Sequence, residues 1–183
     1  MIIVLIIIVA IIAVVISIYN SLVQSRNKVK NSWSQIEVQL QRRFDLIPNL
    51  VETVKGYMKH EEETLTKVTE LRTSWAKASS INEKAELDNK LSDVLKTIMA
   101  VSENYPDLKA NQGFLQLQQE LKETENKISY SRQFYNDSVT IYNTKVETIP
   151  TNIVASLFGF KTEELFKVDS EEAKQNVKVN FNE

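Results

Sequence analysis

Apolar positions divide the chain into one stretch without periodicity and several with a helical period. From Met1 to Ile18 it reads MIIVLIIIVAIIAVVISI, uncharged and interrupted only by Ser17. As a helix this run is about 27 Å long, and with Tyr19 at its end it approaches the roughly 30 Å of hydrocarbon in a bilayer. A cleaved signal peptide would need a basic region before the run and a small-x-small site after it, and the sequence has neither. Residues 1–18 are therefore expected to be an uncleaved transmembrane anchor.

Beyond the anchor, Leu22, Val29, Trp33, Ile36, Leu40, Phe44 and Ile47 recur at helical spacing and predict one buried stripe. Arg26 takes a place in that stripe, as a snorkelling or internally paired guanidinium. A second stripe runs Val51, Val54, Met58, Leu65, Val68, Leu71 and Trp75, with Glu61 interrupting it where a buried Lys or Arg partner is expected. Ser80 and Glu83 form a capping box that opens a third stripe, Leu87, Leu91, Val94, Ile98, Val101 and Tyr105. Pro106 ends it, and Asp107 is the expected cap of the next helix. The fourth stripe runs from Phe114 through Leu117, Leu121, Ile128, Phe134 or Tyr135, Val139, Tyr142 and Val146 to Ile149, before Pro150. "NIVASLFGF" then predicts a short apolar helix with Asn152 as cap and Gly159 as terminator, and residues 167–183 read as a flexible polar tail.

Pro48 decides how these helices connect. Inside a helix it would lose the bond to the Phe44 carbonyl and collide with it, at about 3 kcal/mol or more. In the first turn of a new helix its missing amide has no partner to lose. The expectation is a helix start with Asp45 as N-cap and a reversal of the chain; a kink in one continuous helix is the alternative. With the reversal, residues 150–166 return beside Tyr19, whereas a continuous helix would leave them at the far tip. Strand patterns are missing outside the anchor. The predicted fold is all-α, a transmembrane helix (1–18) followed by an up-and-down antiparallel four-helix bundle (19–166) whose short segment 150–166 is amphipathic.

Charge adds orientation. No side-chain cation precedes the span and Arg26, Lys28 and Lys30 follow it, so the N-terminus is expected outside and the bundle in the cytoplasm of a single-pass protein. A net charge of -2 with interspersed signs gives no footprint for nucleic acid, and the lack of cysteine excludes disulfides and thiolate metal sites.

Three blocks, YNSLVQSRNKVKNSWSQIEVQLQRRFDLIPNLVETVKGYMKHE, ENYPDLKANQGFLQLQQELKETENKISYSRQFYN and IPTNIVASLFGF, together resemble the LemA family of bacterial membrane proteins. The resemblance runs in order from about Tyr19 to Phe166. It implies a bacterial source, one N-terminal transmembrane helix and a cytoplasmic helical domain, and it brings no catalytic chemistry. Departures from the family at Ser32 and Gln41 are expected on helix surfaces.

Candidate chemistry is sparse. His60 beside Glu61, Glu62 and Glu63 is a lone histidine, short of the two Glu-x-x-His pairs of a di-iron bundle and without an elbow to hold a nucleophile. No catalytic residue, metal or cofactor is expected. Tyr19, Arg26, Lys28 and Lys30 are expected at the membrane interface, the cations facing anionic headgroups. Arg42 and Arg43, beside Asp45, are candidates for binding an anionic partner. Ile153, Val154, Leu157 and Phe158 either cap the bundle core or lie in the interface as an amphipathic helix. The expected function is a non-enzymatic scaffold or interaction module whose partners are the bilayer, further copies of the chain and a membrane or cytoplasmic protein. A protein that organises or remodels the membrane is the competing expectation.

Overall fold

Three glycines and three prolines leave little to interrupt a helix. The computed structural model, which describes residues 1–58 and 60–166, is all-helical, with no strand among those residues. The elements are α1 (Ile2–Asp45), α2 (Ile47–Lys55), α3 (Glu62–Lys77), α4 (Ile81–Ser102), α5 (Pro106–Lys109), α6 (Gln112–Glu147) and α7 (Thr151–Leu157). The tail expected at 167–183 lies outside the described residues.

Helix α1 is 44 residues long, about 66 Å. Its large apolar side chains from Ile2 to Ile16 stand exposed apart from the half-buried Val15, and from Leu22 onward Val29, Ile36, Leu40 and Phe44 are buried on one face. Ser32 is buried as well, contrary to its expected surface place. Its hydroxyl is satisfied locally, by the carbonyls of Lys28 at 2.7 Å and Val29 at 3.0 Å.

The chain does not reverse at Pro48. Leu46 keeps right-handed helical backbone angles (φ -76, ψ -20), and Pro48 sits in the first turn of α2. The Leu46 amide bonds the Arg43 carbonyl at 3.2 Å and the Leu50 amide bonds the Leu46 carbonyl at 3.0 Å, so the helical path runs through with one tightened turn. Asp45 is the last residue of α1, and the N-cap position of α2 falls on Leu46. A kink suffices because Phe44, Leu46, Ile47 and Leu50 continue one buried face across the proline.

The reversal comes later, after Gly56, where α2 stops at Lys55 and α3 starts at Glu62. Glu61 interrupts the apolar stripe because it sits at this break, half-buried at the start of α3, and no basic side chain among the described residues pairs with it. Glu62 and Glu63 then occupy the first turn of α3, where acidic side chains favour the positive helix end.

The chain divides into two compact units. The first joins Met1–Arg42 to Glu123–Leu165. Within it α6 returns antiparallel to α1, since Trp33 meets Tyr135 (ring centroids 5.8 Å apart) and Ser21 and Ser25 meet Lys145. Val29, Ile36, Ile128, Tyr135, Val139 and Tyr142 are buried in this unit.

The second unit includes Arg43–Lys122. Its buried side chains include Leu50 and Val54 of α2, Val68 of α3, Leu91 and Ile98 of α4, Leu108 of α5 and Phe114 of α6. Phe44 stacks on Trp75 at 4.9 Å, which pairs the end of α1 with the end of α3. The capping box forms as expected, with the Glu83 amide donating to Ser80 Oγ and Ser80 N–H donating to the Glu83 carboxylate. These bonds hold the Glu83 carboxyl below its ordinary range, first through the Ser80 backbone amide. Asp107 does not cap α6; Asn111 does, accepting from the Phe114 amide at 3.1 Å.

At the centre of this unit Arg43 Nη1 lies 2.8 Å from Asp88 Oδ1 and 3.0 Å from Ser92 Oγ. Both charged side chains are almost wholly buried, at 4% and 0% exposure, so removing one leaves the other desolvated. Asp88→Ala is expected to cost about 3–5 kcal/mol, and Arg43→Met with Asp88→Leu to recover most of it. Urea unfolding of the detergent-solubilised chain, followed by circular dichroism, checks both.

Candidate membrane-proximal site

The described part of the chain ends in a hairpin beside the anchor. Helix α6 gives way at Thr148–Pro150, and α7 follows for one and a half to two turns. Gly159 ends α7 with φ +70, the left-handed conformation glycine adopts without cost. The Phe160 amide bonds the Ala155 carbonyl at 2.9 Å and the Gly159 amide the Ser156 carbonyl at 3.3 Å, the paired bonds of a Schellman stop. Gly159 is thus the terminator the sequence predicts. Asn152, the expected cap, lies inside α7 and makes no capping bond.

Beyond the stop the chain turns back along α6. Asn143 clamps it at two points, its amide donating to the Glu163 carbonyl at 2.8 Å and its Oδ1 accepting from the Glu163 amide at 2.9 Å. Tyr135 donates its hydroxyl to the Glu164 carbonyl at 2.9 Å. Burial first, then the Glu163 and Glu164 carboxylates, push the Tyr135 hydroxyl up to about 12. Tyr142 shifts upward for the same leading reason, with Glu163 adding and Arg26 opposing.

These clamps set α7 against the anchor. Tyr19 meets Phe158 and Phe160 edge-on, at 4.9 and 5.7 Å. Pro150, Ile153 and Val154 face Ile7, Ile11, Val14 and Ile18 across an apolar groove of about 420 Å³. Residues 150–166 do return beside Tyr19, as expected from a reversal at Pro48, but α6 brings them there.

Of the interfacial candidates, Ile153, Leu157 and Phe158 are 65%, 75% and 52% exposed, whereas Val154 is buried at 6%. Capping a core therefore falls to Val154 and its neighbour Ala155, and the other three present an open apolar face. Ile149, expected on the inner side of its helix, is 82% exposed. Arg26 is held internally, by an aromatic ring and not by a carboxylate among the described residues: its guanidinium lies 4.8 Å over the Phe160 ring. Lys28 lies 5.6 Å over Phe134, and Lys30 is exposed.

Arg43 is corrected as a candidate for an anionic partner, because its charge is buried on Asp88. Arg42 and Asp45 are exposed beside it. His60 and Glu62 are exposed too, and no group of three or more His, Asp or Glu side chains able to hold a metal occurs among the described residues.

Sequence reasoning missed Lys145, Ser21 and Ser25. The Lys145 ammonium donates to Ser21 Oγ at 2.9 Å and Ser25 Oγ at 2.7 Å. A signal for the two serines was present, since Ile7, Ile11, Val14, Ile18, Ser21 and Ser25 fall at alternating steps of four and three.

Among the described residues the fold is all-helical, with one helix long and apolar enough to cross a membrane. The LemA family model matches residues 32–181, and the chain belongs to the LemA family. It is 30% identical over 160 residues to Protein LemA of Metamycoplasma hominis, a match covering 82% of this chain and 72% of that protein. It is 27% identical over 175 residues to Magnetosome protein MamQ 2 of Paramagnetospirillum magneticum, covering 81% of this chain and 64% of the relative. Magnetosome protein MamQ of Magnetospirillum gryphiswaldense is 25% identical over 174 residues, with the same coverage, 81% and 64%. The chain thus spans less than two thirds of these magnetosome relatives.

The ordinary tyrosine value lies near 10, so folding favours the protonated Tyr135 phenol. That contribution is full below about pH 10 and is lost as pH rises towards 12, because the unfolded chain ionises first. Stability measured across this window should fall in wild type and fall less in Tyr135→Phe. At neutral pH the same substitution should cost about 1 kcal/mol for the lost hydrogen bond.

Proposed function

We propose that this protein is a non-enzymatic, membrane-anchored helical scaffold of the bacterial envelope. In this reading residues 2–18 of α1 span the inner membrane with the N-terminus outside, and residues 19–166 form an up-and-down helical bundle in the cytoplasm. The observation that carries the reading is the change along α1, which is open and apolar up to Ile16 and buried on one face from Leu22 without a break in the helix. An open apolar helix in water would be aggregation-prone, and in hydrocarbon it is at its solubility optimum. Arg26, Lys28 and Lys30 on the following turns favour the cytoplasmic side for everything beyond them.

The scaffold part draws on the second unit, where Val51, Lys55, Met58, Glu62, Leu65 and Thr69 line an open cleft of about 800 Å³. Its mixed lining suits a protein segment better than a small apolar ligand. The names of the relatives state a family and a structure, the magnetosome, and no reaction.

A second reading, action on the membrane itself, is favoured by one observation: Ile153, Leu157 and Phe158 extend the apolar surface of the anchor sideways. An apolar helix lying in one leaflet expands that leaflet and bends the bilayer.

Protease added to inverted membrane vesicles should cut the exposed turn after Gly56, and protease added to right-side-out vesicles should leave it intact. The opposite pattern would contradict the proposed topology. Crosslinking in cells should recover protein partners through residues 43–122. Recovery of none, together with vesicle remodelling that Ile153→Glu/Leu157→Glu abolishes, would replace the scaffold by the membrane-acting reading.

A further inference from the structure

The contacts of Lys145 are unusual for a partly buried cation. Its ammonium is held by two neutral hydroxyls, and no carboxylate lies within 4.0 Å of it among the described residues. The buried serines Ser32 and Ser138 of this unit spend their hydroxyl protons on a carbonyl one turn back, Ser32 on Lys28 and Ser138 on Phe134. Ser21 and Ser25 make no such bond; each accepts from Lys145 and keeps its own proton to donate. One positive charge and two hydroxyl donors therefore converge with no anion among the described residues to receive them.

Depth along α1 says where this cluster stands. Ser21 and Ser25 lie about 4.5 and about 10 Å beyond Ile18, the depth of the headgroup layer outside a hydrocarbon core of roughly 30 Å. The helix face that carries them is the one whose preceding members, Ile7, Ile11, Val14 and Ile18, line the apolar groove against Pro150 and Ile153. The groove volume of about 420 Å³ is within the range of ligand pockets. A polar, cationic cluster thus sits at the headgroup end of an apolar groove that runs down into the hydrocarbon.

We infer that the first unit binds one anionic glycerophospholipid, its phosphate held by Lys145, Ser21 and Ser25 and an acyl chain lying in the groove between α1 and α7. The inference rests on the membrane-spanning role of residues 2–18. A second copy's anchor helix would fill the groove equally well, but its apolar surface would leave the Lys145 charge unmatched. A free phosphate would match the charge and leave the groove empty. A phospholipid with an anionic headgroup satisfies both halves. Such a site ties α7 to the bilayer through a lipid and gives the protein a preference for anionic membrane.

The test uses the full chain in detergent, titrated with phosphatidylglycerol, with phosphatidylcholine and with inorganic phosphate, and read by native mass spectrometry. Phosphatidylglycerol should bind in preference to phosphatidylcholine. Lys145→Gln should weaken it about fivefold, the factor for one lysine on an anionic headgroup, and Lys145→Arg should restore most of the binding. Val14→Trp, which fills the groove from an exposed position, should abolish it with Lys145 intact. Equal binding of both lipids, or Lys145→Gln without effect, would overturn the headgroup assignment. Full displacement by inorganic phosphate would reduce the site to a free-anion site, and a dimer that Val14→Trp disrupts would assign the groove to a second copy. Flotation with phosphatidylcholine vesicles keeps the anchor reading separate: wild type and Lys145→Gln should both float, and failure of wild type to do so would sink the anchor, not the lipid site alone.

Discussion

One helix has to satisfy two solvents. Along α1 the apolar side chains are open as far as Ile16, and within two turns Leu22 is fully covered. Because the helix is unbroken, the stripe that suits lipid at one end sets the face that must be covered by protein at the other. Helix α6 supplies that cover, and it is aligned by pairs such as Trp33 with Tyr135 and Ser25 with Lys145. The turn at Pro150, the Gly159 stop and the Asn143 clamp are the means of ending the pairing at the edge of the open segment.

Polar groups in the interior are handled differently at the places where they occur. Arg43 and Asp88 neutralise each other in the second unit, a pair that breaks at high cost if either partner is lost but whose net worth against an apolar pair is small. In the first unit Tyr135 is kept neutral and tied to a backbone carbonyl, and Arg26 spreads its charge over an aromatic face. Lys145 alone of these is set among neutral hydroxyls, those of Ser21 and Ser25 just beyond the apolar run of α1.

Much of this is legible in the sequence, and the exceptions have physical reasons. The apolar run, the stripes, the Ser80–Glu83 cap and the Gly159 stop each depend on interactions within a few residues, which a linear reading captures. Proline is the strongest local signal and points to a reversal at Pro48, yet a first-turn proline disturbs a helix little when both flanks share one buried face. Gly56 before an acidic first turn is the weaker signal, and it marks the true break. Arg43 reads as a surface cation because its partner lies 45 residues away, and Glu61 reads as buried when the stripe is taken to be continuous. Lys145 is invisible for the same reason as Arg43, since its partners are 120 and 124 residues distant.

If α7 enters the membrane beside the anchor, the depth of Leu157 in a bilayer shows it most directly. The chain has no cysteine, so a single Leu157→Cys label reports without background. In vesicles containing brominated lipid, a fluorophore at that position should be quenched by the bromine and shielded from aqueous iodide, as a label at Ile16 should be. Quenching by iodide with none from the lipid would place α7 in water and contradict its entry into the membrane.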